Sequence, residues 1–267
     1  MPIKAERGYL IWAIGDDYID CANACAKSIR LHTPDAKIAL LSDKHYDSSV
    51  FDYSEVFPYD VNYENVLAND WQVLHASPFR QTIKIEADMI IPHSIDHWWQ
   101  MLEHKDVVLT TGARNYHNQI TSDRTYRKIF DVNNLPDVYN AITYWRVSRT
   151  SHNFFNIVRS LFSSWKVMQP HIKMGLADPG TTDLIYAIAA ALIGVENVTL
   201  PGTSYPSLIH MKGKINWLAE EDWTKELIWE LDKSNIRINT IDQEYPFHYY
   251  IKEFSKELNK HYDNINR

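Results

Sequence analysis

Ser77-Pro78-Phe79-Arg80-Gln81-Thr82-Ile83-Lys84-Ile85-Glu86-Ala87-Asp88-Met89-Ile90-Ile91-Pro92 runs an apolar alternation into two carboxylates and then resumes it. Thr82 to Ile85 reads as a strand that ends in a charge pair. In extended backbone residues i and i+2 point the same way, so Glu86 and Asp88 present two carboxylates side by side at the strand end. Two like charges there call for a cation. Hard divalent ions such as Mg²⁺ or Mn²⁺ bind through one or two carboxylates completed by the phosphates of a substrate. The competing reading is a solvated turn after a buried strand, where acidic residues are ordinary.

Upstream, Tyr9-Leu10-Ile11-Trp12-Ala13-Ile14 is an apolar run closed by Gly15-Asp16-Asp17, which suits a buried first strand and a turn. Tyr18 to Leu31 reads as a helix ended by Thr33-Pro34, and Lys37 to Asp43 as a second buried strand. Strand, helix and strand with short links imply a parallel α/β sheet, whose ligands sit beyond the carboxyl ends of the strands. Val56 to Asn69 is irregular and acidic, and Asp70 to His75 reads as a helical turn. Downstream come a helix through Met101-Leu102, a core strand from Asp106 to Thr111 and a strongly apolar helix from Leu184 to Ile193, closed by Gly194. Asp178-Pro179-Gly180-Thr181-Thr182-Asp183 opens that last helix, and Thr181 or Thr182 suits its cap.

With 267 residues, 45% of them apolar and only 8 glycines, the chain can bury a large core and fits one main domain. No run of 18 apolar residues appears and the first eight residues read as a polar lead into a strand, so a soluble protein of the cytoplasm, the host's if the chain is viral, with no membrane partner is expected. Cys21 and Cys25 lie four apart in the first helix, a spacing that suits two buried thiols rather than a disulfide. The formal charge of −7 disfavours a nucleic-acid partner, yet nine Lys/Arg stand against three Asp between Arg114 and Lys173. Tyr116, Tyr126, Tyr139, Tyr144 and Trp145 lie among those cations. That mixture suits a phosphate-bearing acceptor, while the helical spacing of Ile157, Val158, Leu161 and Phe162 suits an amphipathic helix with a charged outer face.

The Ile85-Glu86-Ala87-Asp88 segment resembles the D-x-D region of GT-A glycosyltransferases, in which a strand carries the metal carboxylates. Ser94-Ile95-Asp96-His97-Trp98-Trp99 resembles the helix start that follows this motif in GT-A proteins of tailed phages. Ser207-Leu208-Ile209-His210-Met211-Lys212-Gly213-Lys214-Ile215-Asn216-Trp217 resembles the H-F-x-G-x-x-K-P-W segment of the glycogenin-like, anomer-retaining members, without its Lys-Pro. The resemblance, which covers residues 8–217, implies a Rossmann-like, mostly parallel sheet flanked by helices there; the tail beyond it reads as a helical C-terminal extension over 218–267 packed on that domain. The resemblance also implies Mn²⁺ or Mg²⁺ on Glu86, Asp88 and His210, and a nucleotide sugar, UDP-linked, at Ile14, Tyr18, Asp43, Lys212, Gly213 and Lys214. Asp183, with Asp178 second, falls where the family faces the transferred sugar. Asn140, Tyr144, Trp145 and Arg146 fall where it lines the acceptor.

The function so implied is metal-dependent transfer of a sugar to a hydroxyl. The phage resemblance and the basic aromatic segment together point to 5-hydroxymethylated pyrimidine in DNA as acceptor. The rivals are transfer to a saccharide, lipid or protein, a nucleotidyltransferase, and a non-catalytic nucleic-acid binding module. Against the nucleotidyltransferase, this sequence shows no Gly-rich phosphate loop with a basic signature after the first strand, and the binding module gives Glu86 and Asp88 no reason to be paired.

Overall fold

The first two predicted strands are apolar at consecutive positions rather than alternate ones, which demands cover on both faces. The computed structural model, which describes residues 2–121, 127–174, 180–202, 205–212, 222–233 and 235–265, shows that cover. In chain order the strands are β1 (Ala5–Ala13), β2 (Ile38–Ser42), β3 (Tyr53–Val56), β4 (Phe79–Glu86), β5 (Met89–Ile90), β6 (Val107–Thr110), β7 (Gly112–Arg114) and β8 (Tyr139–Arg146). They continue with β9 (Ser207–His210), β10 (Trp229–Asp232), β11 (Asn235–Ile238), β12 (Ile241–Asp242) and β13 (Phe247–His248). The helices are α1 (Asp16–His32), α2 (Val73–Ala76), α3 (Trp98–Leu102), α4 (Lys128–Val132), α5 (Arg149–Ser163), α6 (Trp165–Met168), α7 (Thr182–Ile193), α8 (Val195–Val198), α9 (Trp223–Glu226) and α10 (Phe254–Ile265).

The main sheet has the order β3–β2–β1–β4–β8–β6, and its first four strands are parallel. β8 runs antiparallel to both β4 and β6. Along β1, Tyr9 and Ile11 enter a core shared with α1, α3 and α10, while Leu10 enters a second core shared with α5 and α7. β2 divides the same way, with Ile38 and Leu40 on one side and Ala39 and Leu41 on the other. The parallel register places Trp12 beside Glu86, so the carboxyl ends of β1 and β4 adjoin. β4 is longer than the sequence predicts and includes Glu86 as its last residue.

Where β4 ends, a second sheet begins. Its order is β5–β13–β9–β7, with β13 antiparallel to β5 and parallel to β9. A separate antiparallel meander, β10–β11–β12, follows α9. The C-terminal segment therefore holds four strands in addition to the helices expected there, and β13 lies between two strands of the preceding region. Strands of two to four residues are too short to carry a period-2 signal, which is why the sequence shows only helices. The irregular stretch after Val56 likewise contains a 3₁₀ helix at Val66–Gln72. No helix among the described residues is long and apolar enough to cross a membrane.

Candidate active site

β4 delivers Glu86, the Ala87-Asp88 turn delivers Asp88, and β13 delivers His248 through its pairing with β5. Ligand atoms of these three residues lie within 4.8 Å of one another. His248 Nε2 stands 3.1 Å from Asp88 Oδ2 and 3.7 Å from Glu86 Oε2. The main chain closes the same junction, with Tyr249 N–H donating to the Asp88 carbonyl at 3.2 Å. Burial, opposed by the attraction of His248 and helped by the repulsion of Asp88, pushes the Glu86 carboxyl up to about 7. Burial alone would hold His248 neutral, but the carboxylates of Asp88, Glu86 and Asp183 outweigh it and raise the imidazole to about 9. The same imidazole overcomes the effect of burial on Asp88 and holds it below the usual carboxylate range.

Two cavities of ≈ 440 Å³ each meet at Glu86, His248, Leu67 and Tyr250. One is apolar, lined by Trp12, Ala13, Ile14, Tyr18 and Val66 as well as Asp88. The other is the more polar of the two, with Arg127, Thr181, Asp183, His210 and Lys212 in its wall beside Ile129 and Phe130. Asp183 is fixed at both oxygens, Oδ1 accepting from the Asn140 main-chain N–H at 2.8 Å and Oδ2 from Arg127 at 2.7 Å. Arg127 is itself braced by Asp137 at 2.8 Å and lies over the ring of Tyr139, 4.1 Å to its centroid. Thr181 caps α7 by accepting from Leu184 N–H, which sets Asp183 in the first turn.

The structure thus gathers Ile14, Tyr18, Glu86, Asp88, Asp183, His210 and Lys212 around one double cavity. His210 does not join the three clustered donors. Its ring stacks on His248 at 4.5 Å and 26°, and burial together with His248 presses its pKa well below the ordinary value, so it is neutral. Asp43, half-buried beyond β2 where it accepts from Ser42 Oγ, lines neither lobe. Asp178, Gly213 and Lys214 lie outside the described residues.

The acceptor expectation needs correction for three of its four residues. Tyr144 and Trp145 are wholly buried, one in each core. Arg146 pairs in register with Gln81, near the start of β4 and away from Glu86, and bonds Asp106 at 2.5 Å. The reason is the strand itself: a polar-looking run of aromatic residues is covered on both faces and leaves only its terminal Arg146 exposed. Asn140 does reach the site, because the pairing of β8 with β6 slips between Leu109 and Thr110 and redirects the residues after Tyr139. Its side-chain N–H₂ donates to Glu86 Oε1 at 3.3 Å.

His248 and Arg127 escaped the sequence reading. The only trace of His248 in the sequence is a histidine inside the aromatic run Phe247-His248-Tyr249-Tyr250, and Arg127 is one of the nine Lys/Arg of the segment that suits a phosphate-bearing acceptor or a charged outer face.

No family model matches the sequence, and no curated protein matches it. Solved structures do share the architecture. The chain is similar to the galactosyltransferase LgtC, solved with donor and acceptor sugar analogues, at 10% identity and a TM-score of 0.53 over 96% of this chain and 95% of that one. Weaker likenesses reach mouse xyloside xylosyltransferase 1 (10% identity, TM-score 0.44, 73% of this chain and 85% of that one) and the glycosyltransferase GlyE of Streptococcus pneumoniae TIGR4 (11%, 0.42, 73% and 46%). At such low identity the likeness to LgtC establishes an architecture, and that architecture is the GT-A fold, a mostly parallel sheet flanked by helices.

Proposed function

We propose that this chain is a metal-dependent glycosyltransferase that moves a sugar from a nucleotide sugar, UDP-linked, to a hydroxyl. The observation that carries this reading is the acid–acid–imidazole cluster at the junction of an apolar and a polar lobe, beyond the carboxyl ends of parallel strands. The apolar lobe with Ile14 and Tyr18 takes the base, and the polar lobe takes the sugar. The donors fit a divalent cation: two carboxylates and an imidazole whose Nε2 faces both. Two oxygens and one nitrogen suit Mn²⁺ better than Mg²⁺. Bound there, the cation supplies Lewis acidity to the departing diphosphate.

In transfer, the bond from the sugar's anomeric carbon to the diphosphate breaks with its electron pair going to phosphate. A bond to the acceptor oxygen forms, and the hydroxyl proton leaves to solvent. Asp183, immobilised by Arg127 and Asn140, holds the sugar and faces the positive charge that develops on it. Lys212, in the wall of the polar lobe, offsets charge on the leaving group. LgtC, solved with donor and acceptor sugar analogues, has the same fold, which supports a sugar donor and a sugar-accepting partner for this chain.

The test incubates the protein with Mn²⁺, a panel of nucleotide sugars and either hydroxymethylcytosine-containing DNA or oligosaccharides, reading nucleotide release and acceptor mass. A pentose or hexose increment identifies donor and acceptor together. Release with no increment on DNA removes the DNA acceptor and keeps the transferase; absence of release with every donor removes the reading.

The choice between the two histidines has its own test. His248→Ala weakens Mn²⁺ binding about 100-fold, as loss of a ligand does, whereas His210→Gln weakens it no more than about tenfold. Isothermal titration with Mn²⁺ separates them, and the reverse order makes His210 the ligand.

Protonation gives a further expectation. Both Glu86 and His248 have raised pKa values, so each binds its proton more tightly in the folded, metal-free chain than when unfolded. Stability from these two groups is whole below the unfolded values and fades as pH rises through about 7 for Glu86 and about 9 for His248. A cation displaces those protons, so the rise in Tm on adding Mn²⁺ is larger at pH 8.5 than at pH 6, at about the same metal excess. A rise that shrinks with pH contradicts the assignment.

A further inference from the structure

Behind Glu86 lies an ion pair that the reaction scheme does not use. Lys84 and Asp70 are both completely buried, with Nζ 2.7 Å from Oδ1. The Tyr186 hydroxyl, on α7 three residues after Asp183, donates to the other Asp70 oxygen. The Lys84 ammonium lies 5.6 Å from the Tyr186 ring centroid and donates a second hydrogen bond, 2.5 Å long, to Asn140 Oδ1. A buried pair of this kind adds little stability over apolar residues of the same volume, so its presence asks for another explanation.

The chemistry of the amide provides one. An ammonium group can only donate, so Asn140 must turn its oxygen toward Lys84. The N–H₂ end is then forced toward Glu86, where it donates at 3.3 Å. The same residue gives its main-chain N–H to Asp183 at 2.8 Å. One asparagine therefore ties together a carboxylate of the cation cluster and the carboxylate of the sugar lobe, and a buried lysine decides which way its amide faces.

We propose that Lys84, held by Asp70 and Tyr186, is a positioning residue of the transfer site: it locks the Asn140 amide so that Glu86 is presented to the cation. The proposal rests on the reading of Glu86, Asp88 and His248 as a cation site.

The experiment is a double-mutant cycle on Mn²⁺ affinity, read by isothermal titration alongside circular dichroism. Its arms are Asp70→Asn with Lys84→Met, which removes both charges and leaves neither buried alone, and Asn140→Ala. Each arm is expected to lower Mn²⁺ affinity about tenfold, and the two combined also about tenfold, because both act through one amide. Unchanged affinity in the charge-removed variant, or losses that multiply to about 100-fold, overturns the proposal. If that variant does not fold, Tyr186→Phe keeps the pair and releases one hold on Asp70. It is expected to lower affinity in the Asn140 protein and leave the Asn140→Ala protein unchanged, and equal effects in both overturn the proposal. A wild-type chain that binds no Mn²⁺ removes the cation reading and this proposal with it, whereas wild-type binding with insensitive variants removes this proposal alone.

Discussion

Asp88→Asn abolishes sugar transfer, lowering kcat by about 10³-fold or more while the fold stays intact. The expectation follows from what the substitution removes and what it leaves. The Asp88 carbonyl still accepts from Tyr249 N–H, so the junction between β4, β5 and β13 keeps its main-chain bond. The amide matches the carboxylate in size but loses its charge and one of its two acceptor oxygens, where Asp88 Oδ2 stands 3.1 Å from His248 Nε2. In the metal-free chain that loss also frees His248 from its strongest raising partner, so its pKa falls back toward the ordinary value. Far-UV circular dichroism should be unchanged, and Mn²⁺ should no longer raise Tm. Wild-type turnover in a folded Asp88→Asn protein would falsify the cation assignment.

Why the carboxylates could be read in advance and the imidazole could not is a matter of sequence distance. Glu86 and Asp88 are two residues apart on one strand end, and local geometry alone puts them together. His248 arrives some 160 residues later on a two-residue strand, whose place is set by pairing with β5 and β9 rather than by its own pattern. The periodicity of the chain does locate β1, α1, β2, β4, β6 and α7, because long or wholly apolar segments carry their own signal. It is silent on β9 to β13, which are stable only through the strands beside them. His210 shows the intermediate case: its segment was recognisable, and the structure sets it one ring away from the clustered donors.

Lys84 shows a different limit. In the sequence it is a charged residue interrupting an apolar strand, which ordinarily means a solvent-facing position. In the structure it is wholly buried, and its partner Asp70 comes from the 3₁₀ helix rather than from a neighbouring strand. Alternation along β4 does put Lys84 on the same side as Glu86, but nothing in the sequence says that this side is covered. Burial of a charge can be read only when the partner is known.

Trp145→Ala is the second large effect expected, and it separates core from acceptor site. Trp145 is wholly buried in the core between β8, α5 and α7, its ring 5.1 Å from that of Phe155 at 74°. Truncation to alanine opens a cavity and should cost about 3–5 kcal/mol of stability, which lowers Tm by roughly 10 °C in a chain of this length. The indole N–H has no hydrogen-bond partner among the described residues, so Trp145→Phe removes volume and no hydrogen bond. The phenylalanine variant should therefore keep KM for the acceptor while losing only part of the stability. An acceptor-contacting tryptophan would behave in the opposite way, with KM rising in both variants and Tm hardly moving. Because Ile85 pairs with Ile142 while Thr82 pairs with Trp145, β8 carries Trp145 away from Glu86 as it leaves Asn140. Thr181 and Phe130 line the polar lobe that we propose takes the sugar, so substitutions there are expected to alter substrate KM where Trp145→Phe does not.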